Sequence, residues 1–157
     1  MAMLRPTGKS TENLVVQMLR KAYKLQVDIQ RLPDKYDTGK LEDIRPCDHI
    51  VSLSRDVALE NFLPNTFYIE SKETSALKTS FNINSTFQKG QLQGMHRAHN
   101  LKLPYFIVFH FLKTQGIYLV PAFEILDALA AGKKSISVET IKQYPWTTGD
   151  LYDYYQC

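Results

Sequence analysis

From Tyr105 to Leu112 the chain reads Tyr-Phe-Ile-Val-Phe-His-Phe-Leu, apolar at almost every position and opened by Pro104. Side chains along a strand point alternately to opposite faces, so an apolar run without alternation marks a strand buried on both sides. The expectation is a central strand in a sheet covered by helices on either face.

The flanking segments supply the layers. Ser10 is a candidate cap, and Leu14, Val15, Met18, Leu19 and Ala22 recur at helical spacing, which predicts a helix over 10–25. Residues 26–32 alternate polar and apolar as a half-buried strand does, and Pro33 ends them. A charged loop to Pro46 follows, then strands at Asp48–Leu53 and Thr66–Lys72, whose succession predicts an antiparallel meander. Thr86–Asn100 reads as a helix, although Gly90 and Gly94 each weaken it by about 1 kcal/mol relative to alanine. Small residues there permit close approach by another segment. Gln115–Val120 reads as a strand and Pro121–Ala131 as a helix stopped by Gly132, with 136–144 a short strand or helix. Together these predict an α/β sandwich with a mixed sheet and flanking helices.

Composition narrows the function classes. The 157 residues are 44% hydrophobic and 22% charged, which places them among ordinary globular proteins rather than disordered or membrane chains. No stretch approaches the roughly 18 apolar residues of a spanning helix, and the start lacks the apolar core of a signal peptide. An intracellular, cytoplasmic protein with no membrane contact is expected. Cys47 and Cys157 have neither disulfide-framework nor metal-ligand spacing. A net charge of +3 is too small to coat nucleic acid, so any DNA contact must be local. Lysine and arginine do recur near Lys72, Lys78, Lys89, Arg97 and Lys102, and again at Arg5, Lys9, Arg20, Lys21 and Lys24.

The chemistry concentrates at Thr66-Phe-Tyr-Ile-Glu-Ser-Lys-Glu-Thr74, an apolar strand that ends in acid-x-lysine. Residues i and i+2 share a strand face, so Glu70 and Lys72 point the same way. With Asp48 at the mouth of the neighbouring strand, two hard oxygen ligands and a cation converge, which suits a magnesium ion and a phosphate undergoing transfer. The triplet alone is common, and its weight comes from closing a strand whose core of Phe67, Tyr68 and Ile69 is apolar. Glu12 borders the buried stripe of the first helix, where it looks toward a site.

Glu12 on an opening helix, Asp48 on a strand, Glu70-Ser-Lys72 on the next and a glutamine-bearing helix beyond resemble, in that order, the PD-(D/E)XK nuclease superfamily. Within it the chain is similar to the RecU-type Holliday junction resolvases. The likeness is carried by Tyr-Ile-Glu-Ser-Lys-Glu-Thr at 68–74, Lys-Thr-Ser-Phe at 78–81, Gln91-Leu-Gln-Gly-Met95 and the apolar strand at 105–112. It implies a restriction-endonuclease-like mixed β-sheet flanked by helices, and a single nuclease domain over 1–157. It also implies that Asp48, Glu70 and the Ser71 carbonyl hold Mg²⁺, with Mn²⁺ as a substitute and Glu12 nearby directly or through water. Lys72 would position or activate the attacking water. Thr74, Lys78 and Gln91 would hold the DNA backbone, with Lys9, Gln88, Lys89 and Arg97 also in reach of it. The implied substrate is a four-way junction nicked symmetrically by a homodimer, leaving 5′-phosphates and using no nucleotide cofactor. A compact chain of this kind suits a phage as well as a bacterium, in which case it works in the host cytoplasm.

The sequence departs from the family in three places. The linker at 33–47, where the family carries a projecting stalk, is short. Pro46-Cys47-Asp48 has one residue inserted between proline and aspartate. The helix offers two glutamines, Gln88 and Gln91, spaced three apart, of which Gln91 is preferred. The alternatives are a related nuclease acting on linear duplex, and a branched-DNA-binding accessory protein that does not cut.

Other motifs carry less. Gly8-Lys9-Ser10 ends like a phosphate loop, but Met3 stands where the first glycine belongs. His96 and His99 share a helical face with no third ligand in range. His49 is expected to turn away from Asp48, and Tyr152, Tyr154 and Tyr155 are read as packing residues or base-stacking residues.

Overall fold

A computed structural model describes residues 9–33, 45–61 and 64–151. Residues 34–44 of the charged linker and the terminal tyrosines Tyr152, Tyr154 and Tyr155 lie outside them.

Helix α1, Lys9–Tyr23, buries Val15 and Leu19 from the expected stripe. It ends where Lys24 takes a left-handed φ of 54°, and a 3-10 turn leads into β1, Val27–Arg31. β2 is His49–Leu53 and β3 is Thr66–Thr74, and β1–β2–β3 pair antiparallel as the expected meander. β5, Tyr105–Phe111, then lies parallel to β3, and β6, Gly116–Pro121, returns antiparallel. The sheet order is β1-β2-β3-β5-β6. The apolar run is therefore an interior strand, but β3 and not β5 is the middle one. β3 has two strands on either side of it, whereas β5 has only the edge strand β6 beyond it.

The absence of alternation in β5 has its expected cause. Phe106 and Val108 pack with Val15 and Leu19 of α1, Phe67, Ile69 and Trp146 on one face of the sheet. Ile107, Phe109 and Phe111 pack on the other with Met95, Ile125 and Ile141. Burying such side chains stabilises the fold by about 1.5–3 kcal/mol each, less the entropy of ordering them.

Several boundaries differ from the sequence expectations. The connection between β2 and β3 contains a helix, α2, Arg55–Asn61. The segment read as polar connection contains β4, Ser80–Asn82, and a single helical turn, α3, Ile83–Thr86. Phe87 then leaves helical geometry, so the glutamine helix, α4, runs Lys89–Asn100 rather than from Thr86. Pro121 does not open a helix. It ends the edge strand β6, where the missing N–H costs no ladder bond, and the following helix, α5, is Phe123–Ala130. Residues 136–144 hold both predicted possibilities, a strand β7 at Ser135–Ser137 paired with β4 and a turn of helix, α6, at Val138–Ile141. Three-residue strands show no periodicity from which to read them. Among the described residues no helix is long and apolar enough to cross a membrane.

Candidate metal and nuclease site

Asp48 immediately precedes β2 and is 3% exposed. Its loop is fixed from several directions. Leu32 N–H donates to the Asp48 carbonyl at 2.8 Å, Arg45 Nη1 donates to the Leu32 carbonyl at 3.3 Å, and the Tyr105 hydroxyl donates to the Pro46 carbonyl. Gly94 of α4 presses against the same loop, since a Cβ there would lie 2.7 Å from Pro46 Cβ and 2.8 Å from its carbonyl oxygen. The close approach expected of a small residue in this helix thus occurs at Gly94. Because the crowded atoms include the backbone Cα and carbonyl oxygen of Pro46, Gly94→Ala is expected to displace the loop, destabilise the protein by about 1–3 kcal/mol and slow any reaction that depends on Asp48. Chemical denaturation and a cleavage assay check this, and a variant of unchanged stability and rate would contradict it.

The side chains converge as the strand alternation predicts. Asp48 Oδ2 accepts from Ser71 N–H at 2.9 Å, and Asp48 Oδ1 lies 3.2 Å from Arg45 Nη2. Glu70, 1% exposed, has Oε1 3.1 Å from Lys72 Nζ and 2.7 Å from Gln91 Nε2, which donates to it. Lys72 Nζ donates to Gln91 Oε1 at 3.2 Å and lies 5.5 Å from the centroid of the Phe87 ring. One glutamine amide therefore holds both the acid and the ammonium. Its Oε1 also accepts from Gln88 N–H at 2.9 Å, so the helix start and the site are braced together. Gln91 is the buried glutamine that faces the site, whereas Gln88 is the exposed residue preceding α4.

Burial pushes the Glu70 carboxyl up to about 8, helped by the Asp48 charge and opposed by Lys72. Burial likewise raises the Cys47 thiol, to about 12, with Glu70 adding to the effect. Glu70 Oε2 is buried without a hydrogen-bond partner among the described residues. Two buried carboxylates, one with an orphaned oxygen, form a hard-oxygen donor pair that a divalent cation would relieve. The residues present therefore fit Mg²⁺ or Mn²⁺. Among the described residues no three His, Cys, Asp or Glu side chains gather closely enough to hold a metal by themselves. A third oxygen must come from elsewhere, for which the Ser71 carbonyl is the nearest candidate by sequence.

Glu12 is not gathered with that pair. Its Oε2 accepts from Arg31 Nε at 3.1 Å, and it lines a cleft with Asn13, Arg20, Arg31 and His49. Direct metal ligation by Glu12 is thus not what the arrangement provides. The start of α1 is fastened behind β3, where Thr11 Oγ1 donates to Glu73 Oε2 at 2.6 Å and lies 2.9 Å from His110 Nδ1. His49 turns to the face of Val51 and Leu53, as expected, and burial lowers its pKa.

Of the other DNA-contact candidates, Thr74 is half-buried at the end of β3, and Lys78 Nζ sits 5.0 Å from the Phe81 ring centroid. Lys89 and Arg97 are exposed on α4, and so are His96 and His99. Lys9 opens α1, and its side chain lies outside the described residues. Nothing in the sequence singles out Arg45 or the Tyr105 hydroxyl, both of which hold the Asp48 loop. Arg45 precedes Asp48 by three positions in a charge-rich loop, where nothing separates it from solvated neighbours.

The chain matches no protein-family model and no curated protein. Its architecture is a restriction-endonuclease-like five-stranded mixed sheet flanked by helices. Among solved structures it is similar to Hjc of Archaeoglobus fulgidus, a Holliday junction resolvase from an archaeal hyperthermophile, with a TM-score of 0.55 over 95% of this chain and 98% of that one. The identity is 12%, so the likeness carries the fold and not the activity.

Proposed function

We propose that the chain is a Mg²⁺-dependent, structure-selective endonuclease that resolves four-way DNA junctions by paired nicks, of the RecU type within the PD-(D/E)XK nucleases. The observation that carries the reading is the buried Asp48–Glu70 pair with Lys72 held against it, on a fold shared with a protein described as a resolvase. A buried acid pair is costly to keep, and its orphaned Glu70 oxygen has no structural use among the described residues.

Asp48 and Glu70, with the Ser71 carbonyl, would hold the cation. When bound, Mg²⁺ would act as a Lewis acid on the scissile phosphate and lower the pKa of a coordinated water. Lys72 would orient the attacking water and offset negative charge as it builds on the phosphate. Gln91 would keep Glu70 and Lys72 in register through the bonds it already makes. Glu12 would act through water rather than as a ligand. Thr74, Lys78, Lys89, Arg97, Gln88 and Lys9 would contact DNA backbone, which sets register without reading sequence, so that selectivity comes from branch shape. Two nicks related by the junction's near-twofold symmetry call for a homodimer, whether the chain is encoded by a bacterium or a phage.

The test compares a labelled four-way junction with a linear duplex of the same sequence, in Mg²⁺ and in EDTA. Symmetric nicks on the junction alone, abolished by EDTA, are expected. Equal cutting of the duplex would replace the proposal with a general nuclease, and binding without cutting would leave an accessory protein.

A further inference from the structure

At the far end of β3, on the face that carries Glu70 and Lys72, the structure forms a small recess lined by Thr74, Lys78, Lys113, Thr114 and Lys142. We propose that this recess is a second phosphate site, which grips the DNA backbone away from the scissile phosphate. The inference rests on the proposed function and adds Lys113, Thr114 and Lys142 to the DNA-contacting surface.

The cations come from separate parts of the chain that backbone bonds bring together. Lys113 and Thr114 sit at the tip of the β5–β6 turn, which is tied to β3 by Leu112 N–H donating to the Thr74 carbonyl at 2.9 Å. Lys142 follows α6, whose first residue Val138 donates its N–H to the Thr79 carbonyl at 2.9 Å. Lys78 is held over the Phe81 ring. Thr74 Oγ1 accepts from Ala76 N–H at 3.2 Å, which directs its own O–H elsewhere as a donor. The result is ammonium and hydroxyl donors around one concavity, with no acidic side chain lining it among the described residues. That contrasts with the recess beside Lys133, where Glu124 and Asp127 balance the lysine.

Size and position select the ligand. The recess measures about 60 Å³, far below the roughly 300–1,000 Å³ of small-molecule sites, so it admits an oxyanion and not a whole nucleotide. Like charges around one concavity are relieved by an anion. Thr74 is two pleats beyond Glu70 on the same face, about 13 Å at about 3.3 Å per residue. That separation puts the recess out of reach of the scissile phosphate, so an anion held there would be a different phosphate of the bound DNA. For a protein whose net charge is only +3, a concentrated local grip of this kind supplies affinity that overall charge does not.

The test is the salt dependence of binding to a fluorescent four-way junction in EDTA, where no cutting occurs. Wild type is compared with a Lys113→Ala/Lys142→Ala double variant, the matching double arginine variant and Lys133→Ala. The alanine pair is expected to weaken binding and to reduce the slope of log K against log[salt] by about 0.9 per lysine removed. Arginine should restore the slope, Lys133→Ala should leave it unchanged, and all the variants should melt with wild type because the altered side chains are exposed. An unchanged slope in the alanine pair, with wild type binding normally, would overturn the recess and leave the proposed function standing. A wild type that binds no junction would overturn the proposed function itself, and the recess with it.

Discussion

Lys72→Met is expected to lower the rate of junction cleavage about 10²–10³-fold, the usual effect of removing one preorganised donor from a developing charge. The substitution keeps the length and apolar stem of the side chain, and with them the contact with the Phe87 ring. It removes the ammonium that sits 3.1 Å from Glu70 Oε1 and donates to Gln91 at 3.2 Å. Gln91 Nε2 still donates to Glu70, so the acid pair keeps its orientation. The loss should therefore fall on the chemical step, read as single-turnover rate on saturating junction, while junction affinity in EDTA changes little. A fall in affinity with an unchanged rate would make Lys72 a DNA-binding residue and not a catalytic one.

The second large effect concerns Glu70 and pH. In the folded protein without metal its pKa is raised to about 8 from an ordinary 4.5, by burial first and then by Asp48. Between those values the native state keeps a proton that the unfolded chain has released, so stability falls as pH rises through that window. The penalty is absent below the unfolded pKa and complete above the folded one. It amounts to something on the order of a few kcal/mol for so buried a group. Glu70→Gln keeps an acceptor for Gln91 and Lys72 but cannot titrate. In EDTA, the difference in unfolding free energy between variant and wild type is expected to grow in the variant's favour from about pH 5 to about pH 8, measured by urea denaturation. A pH-independent difference would show that Glu70 is ionised throughout. The same linkage predicts that added Mg²⁺ stabilises wild type more at pH 8 than at pH 6, because metal binding must displace that proton.

The legible part of the molecule is the part with long-range periodicity. The unbroken apolar stretch of β5 announced two covered faces, and Phe106 and Ile107 do point into different core clusters. Strand alternation likewise placed Glu70 beside Lys72. Features set by local boundaries were harder to read. The start of α4 is displaced from Thr86 to Lys89, and that shift turns Gln88 from a helix-face residue into the residue before the helix. Helix ends are where patterns are weakest. The three-residue strands β4 and β7 have no pattern to detect. Glu12 illustrates a different limit: helical periodicity put it at the rim of the buried stripe, but which partner it meets depends on where β1 ends, and there Arg31 takes it. Arg45 and Tyr105 act on the Asp48 loop through contacts made only by folding, with sequence separations that no local pattern encodes.

If Asp48 and Glu70 hold the metal of a junction-cutting nuclease, as proposed, single-turnover cleavage of a labelled four-way junction in Mg²⁺ separates wild type from Asp48→Asn. Asparagine preserves the acceptor for Ser71 N–H while removing the charge. Wild type is expected to make paired symmetric nicks, and the variant to bind the junction without nicking it. Cutting by Asp48→Asn at the wild-type rate, or no cutting by wild type in either Mg²⁺ or Mn²⁺, would contradict the proposal.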